Sequence, residues 1–564
     1  MKVKVPALIQ DPQTLSRKGL PPLEHLTFEE PFLLDGPVCR RIAVLDLDEG
    51  TGELRPGARL RRTGGKAPCT YEIADETEIT ARDFIQVNAF ATVRATLQLF
   101  EEADALGREV RWAFDGPQLL VVPQAGEWAN AFYERESRSL QFFYFTTNGG
   151  RVFTALSQDV LAHETAHAVL DGIAPDLYNC LTPQSLALHE AVADLTALLV
   201  ATRTRKLNSQ LLRQTKGSLC GPNALSRMAE QFGFERHRGA RHELRSLWNE
   251  RHLDPTDLTL DEDGEPRFAG GVEPHELSLV MTGALYRVLV RLHEEYTAER
   301  GAEKGISKVS ASGYGLFRAR EHFKRLLLRA LDYLPPGEVT FADYGRAILA
   351  ADKASHPGES LGRDELVAEL VRRHVVADPA ELDVATDFEA QETKDVDLET
   401  LATSDWAAYE FANRHRRFLG IPEAVHFRVR PRLDVCKAYY LGGNESTLIR
   451  ELLFKVSWDR EESNPPGHHL TRKRQITVGT TLAIDWRTRR VRALLRSAAA
   501  AAPPGADAQT GERDALLVHM LAEGLLLLDP AAGTASAYLA RAELSGQLMR
   551  VRASGRMLHL AREI

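Results

Sequence analysis

The stretch Asp159-Val160-Leu161-Ala162-His163-Glu164-Thr165-Ala166-His167-Ala168-Val169-Leu170-Asp171-Gly172 decides how the rest of the chain is read. His163 and His167 are four residues apart, so on a helix their imidazoles share one face, one turn apart. Val160, Leu161, Val169 and Leu170 supply apolar positions for such a helix, and Gly172 is expected where it ends. Two imidazoles so placed can close on one Zn²⁺ at about 2.0–2.1 Å each. Glu164 directly follows the first histidine, where its carboxylate can flank the ion and take a proton from bound water. His-Glu-x-x-His at helical spacing points to a metallohydrolase.

A second stretch supplies what this one lacks. Ser185-Leu186-Ala187-Leu188-His189-Glu190-Ala191-Val192-Ala193-Asp194-Leu195 follows Thr182-Pro183, which reads as a helix cap with proline at the first helical position. Glu190 and Asp194 again share a face. A carboxylate on a second helix is the third protein ligand of a catalytic zinc, leaving the fourth position to water. Asp194 is placed to take the far N–H of a ligand histidine and fix its tautomer.

At these residues the chain resembles the thermolysin family of zinc endopeptidases, whose ligands are the two histidines and the glutamate of Glu-x-x-x-Asp. The likeness spans roughly residues 85–376 and extends beyond the two motifs. Asn130-Ala131-Phe132-Tyr133 is similar to the family's Asn-Ala-Phe-aromatic edge, which holds the substrate backbone through Asn130 and Ala131. Tyr178 stands at the family's spacing for the tyrosine that hydrogen-bonds the transition-state oxygen. Leu244-Arg245-Ser246 resembles its Leu-Arg-Ser, whose arginine grips a substrate carbonyl. Gly270-Gly271-Val272, then His275 and a helix reaching Tyr286, resembles the segment with the second catalytic histidine. The family orients that histidine with an aspartate five residues earlier. Gly270 stands there instead, and a gapped match reaches Phe268; Glu273 and Glu276 are the substitutes at hand.

The familiar members carry calcium. Asp159 matches an aspartate of their calcium cluster, but Ala201 occupies the position of the partnering glutamate. Losing an acidic oxygen weakens a site for a hard cation, so no calcium is expected there.

Composition sets outer bounds. The 564 residues suffice for several cores, and 44% hydrophobic with 26% charged content is ordinary for a soluble protein. A net charge of −9 gives no basic footprint for nucleic acid. No apolar run is long enough for a membrane span, and the first residues lack a secretory core. Five cysteines without a Cys-x-x-Cys pair read as free thiols in a reducing compartment, so a cytoplasmic location is expected.

In order along the chain, an α+β architecture is expected. Residues 1–156 read as the β-rich lobe of a two-lobed, thermolysin-like peptidase, with a helix over 84–105 and strands over 109–147. One of these, near Asn130, is the edge that would take an extended peptide as an added strand. Residues 157–376 read as the helical lobe with the zinc site, including helices near 314–333, 340–352 and 362–375. Residues 377–405 read as an acidic linker: 378–405 hold ten acidic side chains and one lysine, Lys394. Residues 406–564 read as a separate α+β module of unassigned role. Its strand-like runs are Ile476–Val478 and Thr481–Ile484, with a turn at Trp486–Arg490. A loop or local disorder is expected over Ala498–Gly505, and Gly467-His468-His469 reads as surface.

The function expected is zinc-dependent endopeptidase. Zn²⁺ would be held by His163, His167 and Glu190, with Glu164 as general base. The resemblance assigns the oxyanion to Tyr178 and His275 and peptide alignment to Arg245 and Asn130. It places Val160 and Leu244 in the pocket for a bulky apolar residue after the cleaved bond. The partner expected is a peptide or protein substrate, with neither nucleic acid nor membrane; for the C-terminal module the options are a protein partner, a targeting or regulatory role, or a cover for the protease. The alternatives are a zinc-bearing interaction protein on the same fold, with cleavage silent or conditional, and a narrow processing peptidase.

Overall fold

A computed structural model describes residues 1–18, 23–48, 50–63, 67–147, 150–230, 233, 243–261, 266–355, 361–442, 445–468, 470, 472–502, 507–528 and 540–553. It is a mixed α and β structure. The chain opens with a hairpin of β1 (Lys2–Leu8) and β2 (Leu23–Glu29) around the short helix α1 (Pro12–Lys18). Next come β3 (Ile42–Val44), the two-residue pair β4 (Leu60–Arg61) and β5 (Thr70–Tyr71), and the helix α2 (Arg82–Glu101). Phe84, Val87, Phe90, Val93, Leu97 and Phe100 fall at steps of three and four along α2, and all are buried, as the aromatic stripe predicts.

A four-stranded sheet follows. β6 (Leu119–Val122) lies between β3 and β8 (Ser139–Phe142), parallel to both, and β7 (Ala131–Glu134) closes the order antiparallel to β8. β7 is an edge strand of this sheet, and Asn130 immediately precedes it. The ribbon β9 (Tyr144–Thr147) and β10 (Gly150–Phe153) leads into the helical part.

α3 (Gln158–Ile173) carries the two histidines. Its N-terminus is capped by the Ser157 hydroxyl, which accepts from the Val160 N–H. Gly172 does not end this helix: it lies within the last turn, and Ala174 follows as the cap. Its requirement is steric, since a Cβ there would stand 1.9 Å from the Arg111 carbonyl oxygen. After a 3₁₀ turn at Pro175–Asn179 comes α4 (Pro183–Ala201), buried along its whole length. Pro183 occupies the first turn as expected, but the Thr182 side chain makes no cap; it donates to Glu338 instead. α5 (Arg205–Gln214) and the two-residue pair β11 (Arg227–Met228) and β12 (Arg245–Ser246) precede four helices. These are α6 (Pro274–Lys304), α7 (Lys308–Tyr333), α8 (Phe341–Ser355) and α9 (Arg363–Arg372).

The stretch expected as an acidic linker is folded. It contains β13 (Thr386–Phe388), α10 (Gln391–Lys394) and α11 (Leu398–Thr403), followed by α12 (Asp405–Arg414) and α13 (Arg416–Leu419). The acidic side chains lie outward while Leu398 and Leu401 are buried beneath them. β14 (Phe427–Val429) and β15 (Leu433–Gly442) pair on one side of the 19-residue β16 (Glu445–Ser463), and β17 (Lys473–Asp485) pairs on the other. The two runs expected around residue 479 are thus one strand. Gly479 joins them because a Cβ there would meet Val456 O at 2.4 Å and Pro336 O at 2.9 Å. β18 (Val491–Arg496) pairs β17 and β13 across the expected turn at 486–490. Ala498–Ala501, expected as loop, forms the helix α14, capped by the Ser497 hydroxyl; Pro503–Gly505 and His469 lie outside the described residues. α15 (Thr510–Ala522), β19 (Leu526–Leu527), β20 (Ala540–Ser545) and β21 (Leu548–Ala553) complete a nine-stranded sheet with one helix before its last strands.

One face of this sheet joins the core of the helical part: Leu453, Ala483, Ala493 and Leu495 lie in the same hydrophobic cluster as α3, α4 and α7. The other face carries Leu452, Phe454, Val456, Trp458, Val478 and Leu482 against α11–α13. The 406–564 region therefore shares a core with the rest, where separateness was expected. Among the described residues no single helix is long and apolar enough to cross a membrane; α4 and α5 pass only together, bent by 93°. All five cysteines are free thiols.

Candidate metal centre

α3 and α4 pack side by side, and their sequence spacing puts His163, His167, Glu190 and Asp194 on the facing surfaces. The two Nε2 atoms stand 3.0 Å apart. Glu190 faces both, with Oε2 at 3.2 Å from His163 and Oε1 at 3.4 Å from His167. Among the described residues, His163, Glu164 and His167 form a group of three whose ligand atoms lie within 4.8 Å of one another. Two carboxylates therefore compete for the third ligand position. Glu190 is the better placed, because its oxygens face both imidazole nitrogens from the opposite helix.

The arrangement fits a cation. Glu190 is fully buried, and neither of its oxygens has a hydrogen bond of acceptable geometry among the described residues. Its charge is met by the rings of His163, His167 and His275 at 3.2–3.4 Å, so positive charge is wanted at this spot, on a ring or on an ion. His163 Nδ1 lies 2.8 Å from Asp194 Oδ1 and must donate to it, which turns the Nε2 lone pair toward His167 and Glu190. Without a metal, burial would lower the His163 pKa, but Glu190 and Asp194 outweigh it and raise it to about 10. A proton there stands where a divalent ion would. Burial pushes His167 down to about 4, keeping it neutral and able to ligate.

Around this cluster lie the groups that orient it. Asp194 accepts from Arg245 through Nε at 2.9 Å and Nη2 at 2.8 Å, and burial is outweighed by that arginine and His163, holding the carboxyl well below its usual range. Arg245 therefore belongs to the hydrogen-bond network of this cluster, and its Nη2 is also 3.9 Å from Glu190. Glu164, on the same turn as His163, is buried, and burial raises its pKa to about 7, with the nearby His163 charge opposing. His275 enters from α6, its Nε2 3.2 Å from Glu190 Oε2. What orients it is Glu273, whose Oε1 accepts from His275 Nδ1 at 2.8 Å while Oε2 caps α6 through the Glu276 N–H at 2.7 Å. Glu276 turns to Arg251 instead.

Tyr178 sits in the Pro175–Asn179 turn, and its buried hydroxyl has no hydrogen-bond partner among the described residues. Its ring stacks on His189 at 4.1 Å. His189 Nδ1 in turn lies 3.4 Å from His167 Nδ1. His189 was not singled out in the sequence, although it directly precedes Glu190; a ligand's neighbour on a helix points 100° away, and here the partner helix lies on that side too. Arg135 and Asp171 were also missed. Arg135 donates to Asp171 on α3 and to Pro175 O at 3.0 Å, tying the Tyr178 turn to the histidine helix.

Asn130 precedes and Ala131 begins the edge strand β7, with the Asn130 side chain accepting from the Ala131 N–H at 2.8 Å. Val160 is half-buried in the first turn of α3, and Leu244 is half-buried beside Arg245. Asp159, matched to the calcium cluster, is buried, and burial followed by the charges of Asp11 and Glu230 raises its pKa well above the usual range. Ala201 ends α4. No model of a known protein family matches the chain, and no curated protein matches it.

Proposed function

We propose that the chain is a zinc-dependent endopeptidase with a thermolysin-like arrangement of its first 376 residues. The observation that supports this most is the convergence of two imidazole Nε2 atoms and both Glu190 oxygens within 3.0–3.4 Å. Ligands about 2.0–2.1 Å from a tetrahedral zinc stand about 3.3 Å apart, and two nitrogens with one carboxylate leave a position open. When bound, the ion supplies Lewis acidity toward water and the scissile carbonyl.

The chain's own groups do the rest. Glu164 takes the proton of the attacking water and returns it to the leaving amine. His275, whose Nδ1 donates to Glu273, and Tyr178 donate to the developing oxyanion. Asn130 and Ala131 hold the peptide as a strand added to β7, while Arg245 reaches its carbonyl from the Asp194 fork. Val160 and Leu244 line the pocket for a bulky apolar side chain.

The test is metal content measured beside cleavage of casein and a blocked dipeptide, with and without chelator. The reading expects one zinc per chain and cleavage abolished by chelator. Glu164→Gln should keep the zinc and lose about 10²–10⁴-fold in kcat. Zinc bound with no cleavage of any peptide would leave the zinc-bearing interaction protein as the better account.

A further inference from the structure

Among the contacts of the region beyond residue 420 with the metal centre's supports, two involve buried or fixed arginines. The first is Asp176, in the same turn as Tyr178. Its Oδ2 accepts from Arg430 Nη2 at 2.7 Å and from the Gly337 N–H at 3.1 Å. Arg430, in the connection between β14 and β15, is itself fixed: Nε donates to Ser457 Oγ at 2.8 Å and its backbone N–H to Lys455 O at 2.8 Å. β21 packs against the same turn.

The second point is Glu338, which is buried just before α8. One carboxylate collects the Leu181 N–H at 3.2 Å, the Thr182 hydroxyl at 2.5 Å and Arg513 Nε at 2.5 Å. Leu181 and Thr182 lead into α4, two turns before Glu190. Arg513, on α15, is fully buried, and its other N–H groups go to Glu462 at 2.8 Å and Asp507 at 2.7 Å. Glu338 is also pinned to β17 through its N–H to Thr477 O at 2.9 Å. A planar, permanently charged guanidinium presents its donors in a rigid fork, and here that fork holds three carboxylates in fixed directions. Both the turn with Tyr178 and the start of the Glu190 helix are therefore fastened to one sheet.

We propose that Arg430 and Arg513 are positioning residues of the metal centre: Arg430 sets Tyr178 through Asp176, and Arg513 sets Glu190 through Glu338. This assigns the C-terminal region a task inside the site, and its catalytic arm rests on the endopeptidase reading.

The test uses the full chain and begins with a measurement that needs no turnover. In Arg430→Met, amide hydrogen exchange across 177–182 should speed at least about tenfold, in zinc-free and zinc-loaded protein alike, with α7 unchanged. Arg513→Lys should lower zinc affinity about tenfold by chelator competition. In activity, Arg430→Met should lower kcat about tenfold with KM little changed, Arg430→Lys should restore part of it, and the loss should vanish when Tyr178 is already Phe. Unchanged exchange, unchanged zinc affinity, or losses that multiply in full in the double variant would overturn the assignment. Faster exchange and weaker zinc in a protein that cleaves nothing would instead sink the endopeptidase reading and leave the positioning role standing.

Discussion

His275 Nδ1 donates to Glu273 Oε1 at 2.8 Å, so the histidine is oriented by a residue two positions before it, from the mouth of its own helix. The second Glu273 oxygen caps that helix, and one side chain thereby fixes both the backbone and the ring. Glu273→Gln removes the charge and leaves one acceptor oxygen, so it cannot both cap the helix and accept from His275. It should lower kcat about 10–100-fold while zinc content stays at one per chain. Steady-state kinetics with metal analysis checks this; an unchanged kcat would remove Glu273 from the account.

Asp194 holds His163 and Arg245 together in one buried knot. In Asp194→Asn the imidazole loses the anion that takes its Nδ1–H, and Arg245 loses its counter-charge. Zinc affinity is expected to fall about 10–100-fold, read by competition with a chromophoric chelator. Affinity equal to wild type would contradict the ligand geometry described above.

The motif was plain in the sequence because its logic is local: i, i+4 spacing on two helices fixes four side chains with no knowledge of the fold. Tyr178, Arg245 and His275 were legible only through the resemblance. What the sequence hid depends on partners far along the chain. Thr182 looks like a cap, yet its hydroxyl goes to Glu338, 156 positions on. Gly172 looks like a helix terminus, yet it answers the approach of Arg111. The acidic run after residue 377 looks like a linker because charge counts ignore which face each residue occupies; Leu398 and Leu401 are the buried face.

Substituting Gly172 tests that steric reading. Gly172→Ala would normally favour a helix, but its Cβ would stand 1.9 Å from the Arg111 carbonyl oxygen. Urea unfolding should show a loss of about 1–3 kcal/mol. A gain in stability would mean the approach is loose.

Lys455 gives the chain a dependence on alkaline pH. Its ammonium donates to Leu334 O at 2.9 Å, and burial lowers its pKa to about 8, with Asp332 opposing. An unfolded lysine titrates near about 10.4, so between these values the unfolded chain binds more protons and this group's contribution to stability rises with pH. Below about pH 8 the folded state carries the full cost of the buried charge, on the order of 3 kcal/mol. Lys455→Met should therefore differ from wild type by a margin that shifts by about that amount, in favour of wild type, from about pH 7 to about pH 10. Urea unfolding at both pH values measures it, and a constant margin would contradict the burial effect.

Along β16, Leu453 points to one hydrophobic cluster while Leu452, Phe454, Val456 and Trp458 point to the other. A ribbon dry on both sides offers no seam. Cutting the molecule after Val376 would wet α7, α8 and the ribbon together, so neither piece is a cassette that could be shuffled, trimmed or grafted alone.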